Sequence, residues 1–245
     1  MTRRIRQLPA RLAADIVTRC VRELAAATAI VFAALDEMAR PLAAAWSDGP
    51  RPLTTEHLSS LQTHVFRQMD EQPTFSGAGY VLAEPALHDR PRYLEWWSRS
   101  PGHGYEPLIL NLDPAAPDYY DYYSMEWFFA ALAEQRRFVS GPLIDLPCSN
   151  SCILTFSTPV VVDGFLVGIA GADVSLAKLE AALLPPIRRL DAPAVLVNKE
   201  RRVILSNDAR WTTGEKLAPF GDGDEWQTQV GVTDDLGWRL AIAVD

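Results

Sequence analysis

The sequence predicts an α+β fold: a long N-terminal helix, then a larger and a smaller domain built on antiparallel sheets. Three observations carry this. Apolar residues recur every three or four positions across residues 9–46. Two long apolar strands, 153–162 and 165–174, meet at the turn pair Asp163-Gly164. After Pro185-Pro186 come two further pairs of shorter strands.

The totals narrow the function. The chain has 245 residues, nearly half of them apolar, enough for a sizeable core. Its net charge of −8 disfavours a nucleic-acid partner. Three cysteines, Cys20, Cys148 and Cys152, do not make a secreted disulfide framework. Cys148 and Cys152 are expected to be two reduced thiols in a loop, with a hairpin disulfide as the alternative. Arg11, Asp15, Arg19, Arg22 and Glu23 interrupt any leader-like apolar run, and residues 24–35 are too short for a bilayer that needs about 20 apolar residues. A cytoplasmic protein without a membrane span is the expectation.

The first helix presents Leu12, Ile16, Cys20, Leu24, Ala27, Val31, Leu35, Met38 and Leu42 on one stripe. At 1.5 Å per residue it is about 50–60 Å long. It either spans two stacked domains or projects into a partner, and its alanine-rich face suits a homodimer through residues 9–46. Asp48-Gly49-Pro50-Arg51-Pro52 breaks it. Thr54 or Thr55 caps a second helix, with Leu58, Leu61, Val65, Phe66 and Met69 as its apolar face. His57 and His64 lie seven apart on it, too far for one metal ion. Strands are expected over 74–83, 92–98 and 106–112. An aromatic run, Asp118-Tyr119-Tyr120-Asp121-Tyr122-Tyr123, then leads into the helix that begins near Met125-Glu126-Trp127-Phe128. A segment at 138–145 precedes the long strand pair. The helix that follows Ser175 is expected to stop at Leu184, where Pro185-Pro186 also marks the domain boundary. Strands at 194–198, 202–206, 226–230 and 238–244 make the small sheet. The expected division is therefore 1–47 for the helix, 48–184 for the larger domain and 185–245 for the smaller.

These features resemble the double-Cache (PAS-like) sensor domains. The resemblance rests on Tyr120 with Trp127-Phe128 and Ala131 at the helix entry. It rests also on the strand pair from Thr158-Pro159-Val160 through Gly171-Ala172-Asp173-Val174-Ser175, and on the hairpin from Val195 to Ser206. It implies a larger distal and a smaller proximal domain, with a small ligand, often an amino acid or amine, in the distal one. Many members carry Tyr, four residues, Arg, one residue, Trp-Tyr, then a later Tyr and Asp. Tyr120, Trp127 and Asp173 match. Phe128 replaces the second Tyr, Leu143 stands near the later Tyr, and Met125 stands where the arginine would clamp a carboxylate.

A chain that keeps the aspartate and the rings but lacks the arginine suits an amine or quaternary ammonium. An ammonium over a ring gains about 0.5–2 kcal/mol, and a charge-assisted hydrogen bond adds as much or more. The candidate ligand residues are Tyr80, Trp96, Tyr120, Tyr122, Met125, Trp127, Phe128, Asp145 and Asp173. Aromatics at helical spacing also simply fill cores, Asp145 also fits a turn before Pro147, and Asp173 also fits a helix cap. No phosphate loop, nucleophile elbow or metal-ligand cluster is present, so neither catalysis nor a cofactor is expected. The expected role is a sensor that binds a small molecule and signals to a separate protein. The alternatives are an enzyme using Asp145 or Asp173 as general base on an amine, and an interaction module with no ligand.

Overall fold

The computed structural model describes residues 10–49, 52–100, 102–145, 151–220, 226–233 and 235–243. A possible Cys148–Cys152 bridge lies outside the described residues. The chain falls into two compact units. The larger comprises residues 31–140 and 144–175; the smaller takes the chain up to residue 30, 141–143 and everything from 176 onward.

Helix α1 (Ala10–Asp48) contributes to both units. Most of its expected stripe is buried: Cys20, Leu24, Val31, Leu35, Met38 and Leu42 are buried, Ile16 and Ala27 are half-buried, and Leu12, expected on the same stripe, is exposed along with Arg11, Asp15, Arg19 and Arg22. Each fully buried leucine on it contributes about 1.5–3 kcal/mol. Pro41 sits inside the helix, so the hydrogen bond it would give to the carbonyl four residues earlier is missing.

The larger unit holds helices α2 (Thr55–Ser59) and α3 (Gln62–Glu71), then strands β1 (Phe75–Leu82), β2 (Leu94–Ser100) and β3 (Gly104–Pro107). A 3₁₀ turn (Tyr122–Ser124) and helix α4 (Glu126–Glu134) follow. Strands β4 (Phe138–Ile144), β5 (Cys152–Val162) and β6 (Phe165–Ser175) complete a six-stranded sheet of order β3-β2-β1-β6-β5-β4. Asp163 (φ 52°) and Gly164 (φ 79°) both take positive φ, as a two-residue turn matched to strand twist requires.

In the smaller unit, helix α5 (Leu176–Arg188) precedes β7 (Ala194–Val197), β8 (Val203–Ser206), β9 (Trp226–Thr233) and β10 (Trp238–Ala243), in the order β8-β7-β10-β9. At the β7–β8 turn, Asn198 Oδ1 accepts from the backbone of Glu200 (2.9 Å) and Arg202 (2.8 Å). Trp211 stacks on Trp226 at 5.2 Å, with Phe220 edge-on to the same ring.

Three expectations need correction. The second helix is two: α2 ends at Ser59 and α3 starts at Gln62. His57 is a capping residue there, its Nδ1 accepting from the Thr54 backbone at 3.1 Å. The strand expected at 106–112 covers only Gly104–Pro107. Beyond Pro107, which has no N–H to offer, Leu108 N still donates to Trp96 O, and the chain then leaves the sheet. Finally, α5 continues through Pro185-Pro186 to Arg188. The prolines remove two backbone donors, but Leu179, Leu183, Leu184 and Ile187 form a buried face on both sides of them, and Arg189 N still reaches Pro185 O.

Candidate ligand-binding site

Directly opposed residues of an antiparallel sheet point to the same side. The registers of β2, β1, β6 and β5 therefore sort this sheet into two faces. On one, Trp97, Ala78 and Ala172 share a row, and Glu95, Tyr80 and Ala170 the next. This face is covered by α1 and α3. Phe32 meets Phe156 at 5.2 Å, Phe66 meets Trp97 at 5.0 Å, and the Tyr80 hydroxyl donates to Met38 O at 2.9 Å.

The other face carries Ser98, Gly77, Asp173 and Thr155 in one row. Trp96, Gly79, Gly171 and Ser157 form the next, then Leu94, Val81, Ile169 and Pro159. Val81, Trp96 and Ile169 join Tyr122, Phe128 and Ala131 in one buried cluster, so α4 and the 3₁₀ turn cover this end.

Asp173 is the buried carboxylate of the row. Its Oδ1 accepts from Thr155 Oγ1 at 2.7 Å. Its backbone carbonyl accepts from Ser76 Oγ at 3.0 Å. Burial pushes its carboxyl up to about 7, Thr155 opposes that rise, and the charge of Asp145 adds to it. Asp145, itself buried, lies just past β4, where its N–H donates to Ser151 O at 3.0 Å. Two carboxylates far apart in sequence are thus brought within electrostatic reach of each other.

Next to Asp173 the sheet has no side chain at Gly77. A Cβ there would lie 2.9 Å from Trp96 Nε1 and 3.6 Å from Asp173 Oδ2. At Gly171 it would lie 3.1 Å from the six-membered ring of Trp96. The indole therefore rests on glycine backbone, which is why these strand positions lack side chains. Trp96 Nε1 and Ser157 Oγ are buried and find no hydrogen-bond partner among the described residues.

The remaining candidates divide. Tyr80 is corrected: it lies on the helix-covered face with its hydroxyl tied to α1, because its register with Glu95 and Ala170 turns it away from Asp173. Tyr122 and Phe128 are fully buried, and the Tyr122 hydroxyl donates to Leu82 O at 3.1 Å while accepting from Tyr93 N at 3.2 Å. Tyr120 and Trp127 are half-buried against the same cluster. Met125 is half-buried at the start of α4, its carbonyl accepting from Phe128 N and Phe129 N.

Sequence reasoning did not pick out Thr155, Ser157, Gly77 or Gly171. Glycines inside strands rich in β-branched residues were the available signal. It also passed over Arg92, which pairs with Glu84 (2.8 Å) and Asp121 (3.1 Å) and lies 4.8 Å over the Tyr123 ring. Arg92 lines a cleft of about 930 Å³ beside β2 where β3 has ended, with Trp96, Leu108 and Asn111.

Among the described residues no cluster of His, Cys, Asp or Glu could hold a metal ion, and no helix is long and apolar enough to cross a membrane.

Residues 61–181 match the family model described as "Methyl-accepting chemotaxis protein-like, first PDC sensor domain". A comparison with curated proteins finds no match. Among solved structures, one titled Methyl-accepting Chemotaxis protein X is 12% identical, covering 95% of this chain and 96% of that one, with a TM-score of 0.66. The ligand-binding domain of the Pseudomonas aeruginosa PAO1 amino-acid chemoreceptor PctC, in complex with GABA, is 20% identical, covers 93% of this chain and 95% of that chain, and has a TM-score of 0.58. The ligand-binding domain of the Pseudomonas fluorescens chemoreceptor CtaA, in complex with L-leucine, is 16% identical, with coverages of 93% and 90% and a TM-score of 0.59. At these identities the structures establish the fold, and it is the double-Cache one.

Proposed function

Residues 61–181 of this chain belong to the PDC sensor-domain family of chemotaxis-type receptors, within a double-Cache fold, and from that premise we propose that it senses a small protonated amine held on Asp173. The observation that carries the reading is the buried Asp173 carboxylate. One of its oxygens is fixed by Thr155, and the other faces the side-chain-free patch at Gly77. A buried carboxylate in this position gains from a cation that replaces its lost hydration. Asp145 raises the negative potential further. The Trp96 indole forms the adjoining wall, while Tyr120 and Trp127 stand at the edge of the same aromatic cluster.

The family is one of sensors, and the reading is of binding without turnover. Output passes to a separate protein partner, and the exposed side of α1, with Leu12 and Ile30, is the surface we assign to pairing of two copies. Fractionation of the native host decides between the cytoplasmic location suggested by the sequence and an extracytoplasmic one.

A second reading has a specific observation behind it. The PctC and CtaA structures carry amino acids, so a zwitterion is the competing guest. Against it stands Met125, in the place where the family motif has a carboxylate-clamping arginine. Titration calorimetry with primary amines, α-amino acids and simple carboxylates separates the two. Amines that bind the native protein and not Asp173→Asn support the proposal. Tight binding of a carboxylate that lacks an amine ends it.

A further inference from the structure

We infer that the cleft beside β2 receives an extended segment of a partner protein, which pairs with the open edge of that strand and sets an acidic side chain against Arg90. The cleft holds about 930 Å³ and lies within the larger unit. Residues 92–96 form one wall and the run 107–114 the other. Leu94 and Trp96 lie on one face of the sheet and Glu95 on the opposite face, yet all three line the cleft. It therefore runs along the edge of the strand and not over either face. Five residues of extended chain give that wall a length of about 16 Å. The cleft does not include Asp173, so the inference stands whether or not an amine binds.

The backbone of that edge is open. Tyr93 O accepts from Leu82 N at 3.0 Å toward β1, and Trp96 O accepts from Leu108 N at 2.8 Å on the opposite side. In an antiparallel ladder successive residues turn their backbone groups to alternate sides, so the N–H and C=O of Leu94 turn away from β1 and into the cleft. Pairing of β2 with β3 begins only at Trp97, and neither group of Leu94 has a partner among the described residues. A strand laid alongside takes both, as when a peptide extends a sheet. The side chains then choose its charge. Glu95 is held by Tyr93 and Trp97, Asp89 by Thr55, Asp113 by Ala115 N, and Arg92 by Glu84 and Asp121. Arg90 is exposed and makes no hydrogen bond or ion pair among the described residues, so the charge left for a partner is positive. Ile109, 87% exposed, and the half-buried Leu94, Leu108 and Leu110 give the segment's other side chains an apolar bed.

The test is fluorescence anisotropy with capped heptapeptides of alternating valine and threonine, ended by glutamate at both ends in one set and by lysine in the other. The native chain binds the glutamate set about fivefold tighter, the size of one exposed ion pair. Arg90→Glu reverses that order. N-methylation of every second residue strips the N–H groups from one edge of a peptide. The two phases of methylation differ in affinity by about tenfold, because only one removes the N–H that Leu94 O accepts. Leu94→Pro deletes the N–H of the open rung, which takes no part in the pairing with β1, and weakens every peptide about tenfold. If Leu94→Pro does not fold, Arg90→Glu and the methylated peptides serve alone. Failure of both sets to bind, equal binding of the two methylation phases, or a glutamate preference that survives Arg90→Glu overturns the inference. So does a native chain that self-associates and turns monomeric on Arg90→Glu, since a second copy then fills the cleft.

Discussion

The two faces of the six-stranded sheet are made from the same four strands and have opposite chemistry. On the helix-covered face the large polar side chains are matched within the protein, although Thr158 Oγ1, in the row of Tyr80 and Ala170, is buried there without a described partner. Tyr80 donates to Met38 O, and Glu95 accepts from Tyr93 at 2.7 Å and from Trp97 at 3.0 Å. On the other face Trp96 Nε1 and Ser157 Oγ have no described partner, and the buried Asp173 holds one hydroxyl. Buried polar groups in folded proteins are ordinarily paired, so unmet ones mark a place where something else completes them. The contrast is sharpest at the large groups: Tyr80 and Glu95 are tied within the protein on one face, while Asp173 stands beside an unpartnered indole N–H on the other.

That contrast can be broken most severely from the stable side. Phe156→Ala empties the contact with Phe32 and should destabilise the unit by about 3–5 kcal/mol, read as a lowered denaturation midpoint. Next in size, Asp173→Asn should weaken amine binding by about 10- to 100-fold, the size of a charge-assisted hydrogen bond, without lowering the melting temperature. A marked loss of stability instead would make Asp173 a structural group like those on the opposite face.

The third prediction concerns pH. The folded carboxyl of Asp173 titrates near 7, against 3.8 for the unfolded group. Its pKa is raised, so its contribution to stability is fully present below about 3.8 and is lost as pH rises through about 7. Binding runs the other way, because the cation needs the ionised form. Amine affinity should drop about tenfold from pH 8 to pH 6, followed by calorimetry. The smallest effect is that of Tyr80→Phe. It should cost about 1 kcal/mol through the lost bond to Met38 O and leave amine affinity unchanged. A fall in amine affinity there would return Tyr80 to the site.

What the sequence showed and what it hid follow from the same geometry. The periodicity of α1 was legible because a helix buried along one stripe must repeat every three or four residues, and Leu24, Leu35, Met38 and Leu42 are all fully buried. The β5–β6 hairpin was legible because Asp163-Gly164 suits a turn with two positive φ values. Tyr80 was misplaced because alternation separates two faces without saying which is which; that depends on register with distant strands. The shift between Phe75 and Gly77 in the pairing with β6 is invisible in the sequence. Trp96 was chosen as a ring, and the feature that stands out in the fold is its N–H. The stop expected at Pro185-Pro186 failed because local propensity yields to a continuous buried face.

The glycine floor under the Trp96 indole sets a direction for change. A position that already lacks a side chain can only gain one, and every gain at Gly77 or Gly171 intrudes on the indole or the space beside Asp173. Mutational drift at these two codons can therefore shorten the roster of acceptable guests but never lengthen it, so new tastes must arise from the loops and from α4 instead.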